Sequence, residues 1–247
     1  MMSLRELPLH ILIPAYNEEK SIGQVIRKLK GNFPLAQITV INDGSTDHTS
    51  SIAKDAGARV INLPVNMGYG VSLHTGMLWA MRKQAGIVVT MDADGQHEPD
   101  DVIKLVEPVA NQQVDLVLGS RYLPESSSYP VPPSRRLGSM FFAQVISWLT
   151  HQRFTDPTTG FQCMNSKGLS MLANLADFPE KTPDADIILF ASLQKLRIIE
   201  IPVTMHADES GDSMHGLLKS LFYVPNMLTA ILGVYLAGRS FTNRRMQ

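Results

Sequence analysis

The segment Gly86-Ile87-Val88-Val89-Thr90-Met91-Asp92-Ala93-Asp94-Gly95-Gln96-His97 decides how this 247-residue chain is read. Its first half is a short apolar run that reads as a strand over Ile87–Met91. Its second half sets two carboxylates, one residue apart, just past the strand end. In parallel sheets ligands bind beyond the carboxyl ends of the strands, so the pair projects into a crevice. Two such carboxylates can share one hard cation, and a cation with open positions can bridge to a substrate diphosphate. The cation also offsets the repulsion between the two acids. Taken alone, the segment has a plainer reading, a turn in which Asp bonds to the backbone.

Outward from this segment, Ile- and Val-rich runs alternate with longer helical patterns, the mark of β-α-β units and a mixed, mostly parallel sheet flanked by helices. Strands are expected at His10–Pro14, Gln37–Asn42, Arg59–Leu63 and Leu116–Gly119 besides Ile87–Met91. Helices are expected at Glu18–Lys30, whose apolar stripe is Ile22, Val25, Ile26 and Leu29, at Thr46–Ala56 with Ser45 or Thr46 as cap, at Gly70–Gln84 and at Asp100–Asn111. A Pro- and Ser-rich loop follows over Leu123–Arg136. Then come a helix at Leu137–Leu149, a turn at Asp156-Pro157-Thr158-Thr159-Gly160, a strand at Phe161–Asn165, a helix at Ile187–Leu196 and a strand at Arg197–Val203. One α/β domain suits the length.

Composition narrows the function classes. Lys plus Arg (22) nearly balances Asp plus Glu (23), so the global basic field of a nucleic-acid binder is missing. The single cysteine, Cys163, excludes an internal disulfide framework and a multi-cysteine zinc site, and it reads as a small buried apolar residue in a cytoplasmic protein. Residues Met1–Leu9, interrupted by Arg5, Glu6 and Pro8, lack the apolar stretch of a secretory signal. Leu221–Gly238 has no charged residue and is followed by Arg239, Arg244 and Arg245. That run reads as a helix in the core, at the membrane interface with its arginines on lipid phosphates, or across the bilayer. His97, His206 and His215 lack metal-site spacing and read as polar or surface residues.

Two further clusters sit at expected strand ends. Asn42-Asp43-Gly44-Ser45-Thr46-Asp47 opens a helix, where Asp43 can accept from a base or ribose. Pro14-Ala15-Tyr16-Asn17-Glu18-Glu19 offers a ring for stacking and acids that suit a first helical turn. With Asn66-Met67-Gly68-Tyr69-Gly70, Asp92–His97, Gly119-Ser120-Arg121, Asp156–Phe161 and Glu200-Ile201-Pro202-Val203, these form an ordered set over residues 9 to 235. The set resembles glycosyltransferase family 2 enzymes of GT-A fold, most closely the branch of dolichyl-phosphate or polyprenyl-phosphate sugar synthases.

The resemblance implies a GT-A domain at residues 1–215 and an apolar helical tail at 216–247. It implies that Pro14, Ala15, Tyr16, Glu18 and Asp43 hold the nucleoside, while Gly68 and Gly70 read by themselves as a phosphate loop or as a strand-to-helix turn. Asp92 would touch ribose or metal, and Asp94 and Gln96 would ligate Mg²⁺ or Mn²⁺ with the donor diphosphate. Arg121, and Arg135 or Arg136, would meet phosphate charge, a task suited to the guanidinium fork. It implies a nucleoside-diphosphate sugar donor, inversion at the anomeric carbon, and a lipid-linked or glycan acceptor in cell-envelope glycan synthesis. The protein would then sit on the inner face of the cell membrane, against lipid or a membrane protein. The string departs from its relatives at His206–Ser213, which carries acids where an arginine is common, and at Gln162, where another arginine is common.

The acceptor decides whether a base is needed. A polyprenyl phosphate is already an anion and attacks unaided, whereas a sugar hydroxyl needs a carboxylate to take its proton. Asp184, Asp186 and Asp156 are the candidates; first-turn acids on a helix, for the first two, and turn initiation before Pro157 are the competing readings. Two other functions fit the same sheet type. A sugar nucleotidyltransferase is disfavoured because no Gly-rich loop ending in a basic residue follows the first strand. A non-catalytic nucleotide-sugar-binding partner has the arginine missing after Val203 as its best support.

Overall fold

The computed structural model describes residues 4–128, 133–175, 178–179, 183–207 and 225–236. Its strands, in chain order, are β1 (Leu9–Ala15), β2 (Gln37–Asn42), β3 (Arg59–Asn62), β4 (Ile87–Thr90), β5 (Leu116–Ser120), β6 (Ser127–Ser128), β7 (Gln162–Asn165), β8 (Ile198–Pro202) and β9 (Thr204–Met205). Its α-helices are α1 (Ile22–Asn32), α2 (Thr49–Asp55), α3 (Tyr69–Arg82), α4 (Val102–Ala110), α5 (Pro133–Thr150), α6 (Ser166–Ala173) and α7 (Ala185–Leu193). A further helix occupies residues 225–236.

Seven strands form one sheet in the order β3-β2-β1-β4-β7-β5-β8. β1 is parallel to β2 and β4, β2 to β3, and β5 to β8, while β7 is antiparallel to both its neighbours. The sheet is thus mixed and mostly parallel. β1 is buried along its whole length, as a central strand covered on both faces must be. The strand period of two sends Leu9, Ile11 and Ile13 to one core, where they meet Ile22, Ile26 and Leu29 of α1 and Leu105 and Val109 of α4. Leu12 joins the other core, with Leu73 and Met77 of α3, Phe142 and Ile146 of α5, Leu169 of α6 and Ile188 of α7.

Several local expectations are corrected. α1 starts at Ile22, not Glu18, because the Glu18 carbonyl accepts from the N–H groups of Ser21 and Ile22 in a preceding turn. α2 starts at Thr49, not Thr46, because Asp47 accepts the Thr49 N–H while Asn17 takes that of Thr46. α6 was not expected at all. Asn165 caps it by accepting from Gly168 N–H, and Gly168 is required because a Cβ there would lie 2.8 Å from the Asp115 carbonyl oxygen. That glycine, inside a short helix, masks the helical pattern. The two-residue pairing of β6 with β9 is too short to leave a periodic signal.

The helix at residues 225–236 turns Met227 and Ile231 into the core shared with α5, and leaves Leu228 and Leu232 exposed. Among the described residues no helix is long and apolar enough to cross a membrane. The rest of Leu221–Gly238, its trailing arginines, His215, Asp208–Ser213 and the boundary between 215 and 216 lie outside the described residues.

Candidate active site

The loops after β1, β2, β3, β4 and β5 gather at the carboxyl edge of the sheet, where parallel strands direct their connections. Two of them are laced together. Asn17 N–H donates to Ser45 Oγ, Thr46 N–H to Asn17 Oδ1, Glu19 N–H to Asp47 Oδ2 and His48 N–H to Glu19 Oε2. Tyr16 stands half-buried at the head of this lattice, and Pro14 and Ala15 are buried in β1 beneath it. Glu18 N–H donates to Thr49 Oγ1 and its carboxylate accepts from Ser21 Oγ at 2.8 Å.

Asp43 is buried, and its two oxygens accept the N–H groups of Met67 (2.8 Å) and Gly68 (2.9 Å). It therefore ties the end of β2 to the loop that enters α3. Gly68 has φ +101°, a conformation natural to glycine, and Gly70 lies buried in the first turn of α3. A nucleobase bonded to Asp43 would share oxygens already engaged with this loop.

Asp92 and Asp94 stand in the turn after β4, neither sealed in the core; the Asp92 side chain is 33% exposed. Gly95, at φ +79°, permits the turn, and Asp94 Oδ1 accepts the Gln96 N–H at 2.9 Å. Tyr69 donates its hydroxyl to Asp92 Oδ1 at 3.1 Å. Gly160 closes the other side, since a Cβ there would lie 3.0 and 3.1 Å from the Asp92 oxygens and 2.8 Å from the Tyr69 oxygen. Burial and then Asp92, Asp184 and Asp94 push the Tyr69 hydroxyl well above its ordinary range, so the three acids act on one point.

His97 lies beneath this turn, stacked on Phe161 at 4.7 Å, rather than on the surface. Its Nδ1 accepts the Asp92 N–H at 3.1 Å, which assigns the remaining proton to Nε2, 3.8 Å from Asp92 Oδ2. Burial pushes its pKa down to about 4, so it is a neutral prop at pH 7.

Arg121 and Asp156 form a two-pronged pair: Nε donates to Oδ2 at 2.6 Å and Nη2 to Oδ1 at 2.7 Å, with a further bond from Nη2 to Thr158 Oγ1. Asp156 is 0% exposed. Glu200 on β8 accepts from the N–H groups of Thr155 and Asp156 and so fixes the turn that carries them. Burial raises the Glu200 carboxyl above its ordinary value. Gln162, in place of the expected arginine, donates to the Thr159 carbonyl and braces the same turn.

The other acid candidates differ in access. Asp186 is 2% exposed, and its Oδ1 accepts the N–H groups of Asp184 and Ile187 at the start of α7. Burial raises its carboxyl. Asp184 is partly exposed just before α7 and bears on Tyr69 together with Asp92. The side chain of Arg135 lies outside the described part of α5. Among the described residues no group of three or more His, Cys, Asp or Glu side chains is arranged to hold a metal ion.

Sequence reasoning read His97 as a polar or surface residue and gave Tyr69 and Gly160 no individual role, yet all three are parts of the site. Each stood inside a quoted motif, but Tyr69 and Gly160 meet Asp92 from 23 and more positions away, and His97, five residues from Asp92, is held there by stacking on the distant Phe161; spacing along the chain does not report these meetings.

The sequence profile of the glycosyl transferase family 2 matches residues 10–173. The chain is similar to the UDP-N-acetylglucosamine–dolichyl-phosphate N-acetylglucosaminyltransferase of Methanococcus voltae, 29% identical over 212 residues, covering 79% of this chain and 84% of that protein. It is similar to the undecaprenyl-phosphate mannosyltransferase of Micrococcus luteus, 28% identical over 209 residues, covering 82% and 85%. Among solved structures, glucosyl-3-phosphoglycerate synthase from Mycobacterium tuberculosis, crystallised with Mn²⁺, UDP-glucose and phosphoglyceric acid, matches with a TM-score of 0.72 over 92% of this chain and 79% of that one. At 21% identity that likeness is one of fold.

Proposed function

The chain belongs to glycosyl transferase family 2, and on that premise we propose that it transfers a sugar from a nucleoside diphosphate sugar to a polyprenyl phosphate at the membrane, with inversion, in the synthesis of cell-envelope glycans. The observation that carries this reading is the pair Asp92 and Asp94 in the turn after β4, both partly exposed, with Asp92 in electrostatic reach of Arg121. The relatives whose names specify dolichyl or undecaprenyl phosphate support the acceptor class.

The carboxylates of Asp92 and Asp94, hard oxygen donors, suit Mg²⁺ or Mn²⁺, and Gln96, a buried residue of the same turn, would add its amide oxygen as a third. So few protein ligands leave positions for phosphate oxygens and water, the usual situation for Mg²⁺ on a nucleotide. When bound, the cation neutralises the diphosphate and stabilises the charge that develops as the nucleoside diphosphate leaves. Tyr69 and Gly160 hold Asp92 in one orientation, and His97, neutral and packed on Phe161, fixes the backbone of the turn. Arg121, oriented by Asp156, adds positive charge beside the phosphates.

A phosphate acceptor also suits two of the three candidate acids, Asp184 being the one that stays partly exposed. Asp156 is fully paired with Arg121 and Asp186 is enclosed at its helix start, which makes both poor bases for a bound hydroxyl. A polyprenyl phosphate oxygen attacks the anomeric carbon directly, the bond to the diphosphate oxygen breaks, and no proton needs removal. Residues 1–215 are the catalytic domain in this reading and 216–247 a tail at the inner face of the cell membrane.

The test is transfer itself. Purified protein with Mn²⁺, undecaprenyl phosphate in detergent and a panel of labelled nucleoside diphosphate sugars should yield an organic-extractable sugar lipid and free nucleoside diphosphate. Transfer only to glycan hydroxyls, or donor binding without any turnover, would sink the proposal.

A further inference from the structure

The face of α5 turned away from the core carries Leu137, Met140, Phe141 and Trp148, all exposed, with Leu137 at 69% and Trp148 at 73%. The opposite face buries Phe142, Ala143 and Ile146. A helix with one stripe in the core and a second apolar stripe in water is unusual, because the outer stripe gains nothing from folding. α5 contains no acidic residue. Arg136 near its start and Arg153 just past its end are both exposed, and neither forms an ion pair among the described residues. The helix at residues 225–236 shows Leu228 and Leu232 outward and shares its inner core with α5.

We infer that the outer face of α5 is a docking surface for an anionic lipid bilayer. The inference rests on the lipid-phosphate acceptor proposed above and names the element that meets the membrane. Apolar side chains with a terminal Trp and unpaired arginines at both ends match acyl chains below and acidic headgroups around them. The inner side of the same helix adjoins the site through the buried Ser139. Ser139 on α5 lies 3.3 Å from Thr158 Oγ1, which in turn accepts from Arg121 Nη2 at 3.1 Å. A bilayer held on the outer side of α5 is therefore one helix away from the residues that must reach a lipid-borne phosphate.

A second copy of the chain fits the face less well. Antiparallel packing of α5 on itself sets Arg136 against Arg153 of the second copy, and parallel packing sets each arginine against its twin. Both arrangements bring like charges together.

The full chain should co-sediment with phosphatidylcholine vesicles containing phosphatidylglycerol, with a blue shift of Trp148 fluorescence that Trp148→Phe removes. Leu137→Ser with Trp148→Ser should lower vesicle partition at least about tenfold through lost apolar contact, at an unchanged melting temperature. Arg136→Gln and Arg153→Gln should each lower binding to the acidic vesicles about fivefold and leave the weak binding to pure phosphatidylcholine alone. Equal partition of wild type and all variants overturns the inference, as does a dimer that the Leu137/Trp148 variant dissociates while vesicles go unbound. Transfer to undecaprenyl phosphate in detergent separates the two claims: vesicle binding by a protein that makes no sugar lipid upholds the docking face and removes the proposed activity. Retained transfer in detergent by the Leu137/Trp148 variant, lost only on vesicles, upholds both.

Discussion

The Tyr69 hydroxyl donates to Asp92 Oδ1 at 3.1 Å, coupling the first turn of α3 to the end of β4. The bond engages one oxygen of Asp92 from the side of α3, and Gly160 leaves no room for that carboxylate to swing away. Tyr69→Phe keeps the ring and removes only this bond. Water can reach Asp92, so the fold should lose less than about 1 kcal/mol, while the affinity for nucleoside diphosphate with Mn²⁺ should fall about tenfold. Calorimetric titration of UDP with Mn²⁺ into both proteins measures it, and unchanged affinity would remove Tyr69 from the site.

Asp94→Ala tests the cation pair more severely. Wild-type protein at a ligand concentration a hundred times Kd should gain about 2.7 kcal/mol, which for a chain of this size is a rise of roughly 2–4 °C per kcal/mol. In the variant that metal-dependent rise should vanish while the ligand-free melting temperature holds. A thermal-shift series with UDP, with and without Mn²⁺, reads it directly.

Asp156→Asn distinguishes a structural acid from a catalytic one. It leaves the Arg121 guanidinium enclosed without its charge partner, a change that costs about 3–5 kcal/mol in buried pairs. Urea unfolding should show that loss. An Asp156→Asn protein of full stability and no turnover would instead make Asp156 a base.

Acid stability should depend on Asp115, at the opposite edge of the sheet. Burial alone would raise its carboxyl, but hydrogen bonds from the Arg197 side chain and backbone, Asn165 and Lys167 outweigh it and hold the group well below its ordinary range. The unfolded chain then takes up the proton at higher pH than the native one. The contribution is complete above about pH 5 and is lost as pH falls through about 4 and lower. Urea midpoints between pH 6 and pH 3 should fall steeply for wild type and less steeply for Asp115→Asn.

Much of the fold was legible because its signals are local. The apolar runs of β1, β2, β4 and β5 and the one-sided stripe of α1 each lie within a short window of sequence. α6 was hidden by Gly168, which the Asp115 carbonyl demands from more than fifty residues away. The start of α1 shifted because a local turn on the Glu18 carbonyl precedes it, and that of α2 because the Thr46 N–H found its acceptor, Asn17, in the other loop, a pairing that capping rules applied one segment at a time do not contain.

The sequence by itself determined that the acids of Asp92–Asp94 and Asp43 sit at strand ends, since strand period and the direction of parallel crossovers follow from backbone geometry alone. Tertiary structure alone decided what each acid does there. Asp43 anchors the loop before α3, Asp156 neutralises Arg121, Asp186 closes its own helix, and Asp92 is left gripped by Tyr69 yet partly exposed. A carboxylate takes its role from the donors that reach it through space, and those come from segments whose distance along the chain carries no record of their meeting.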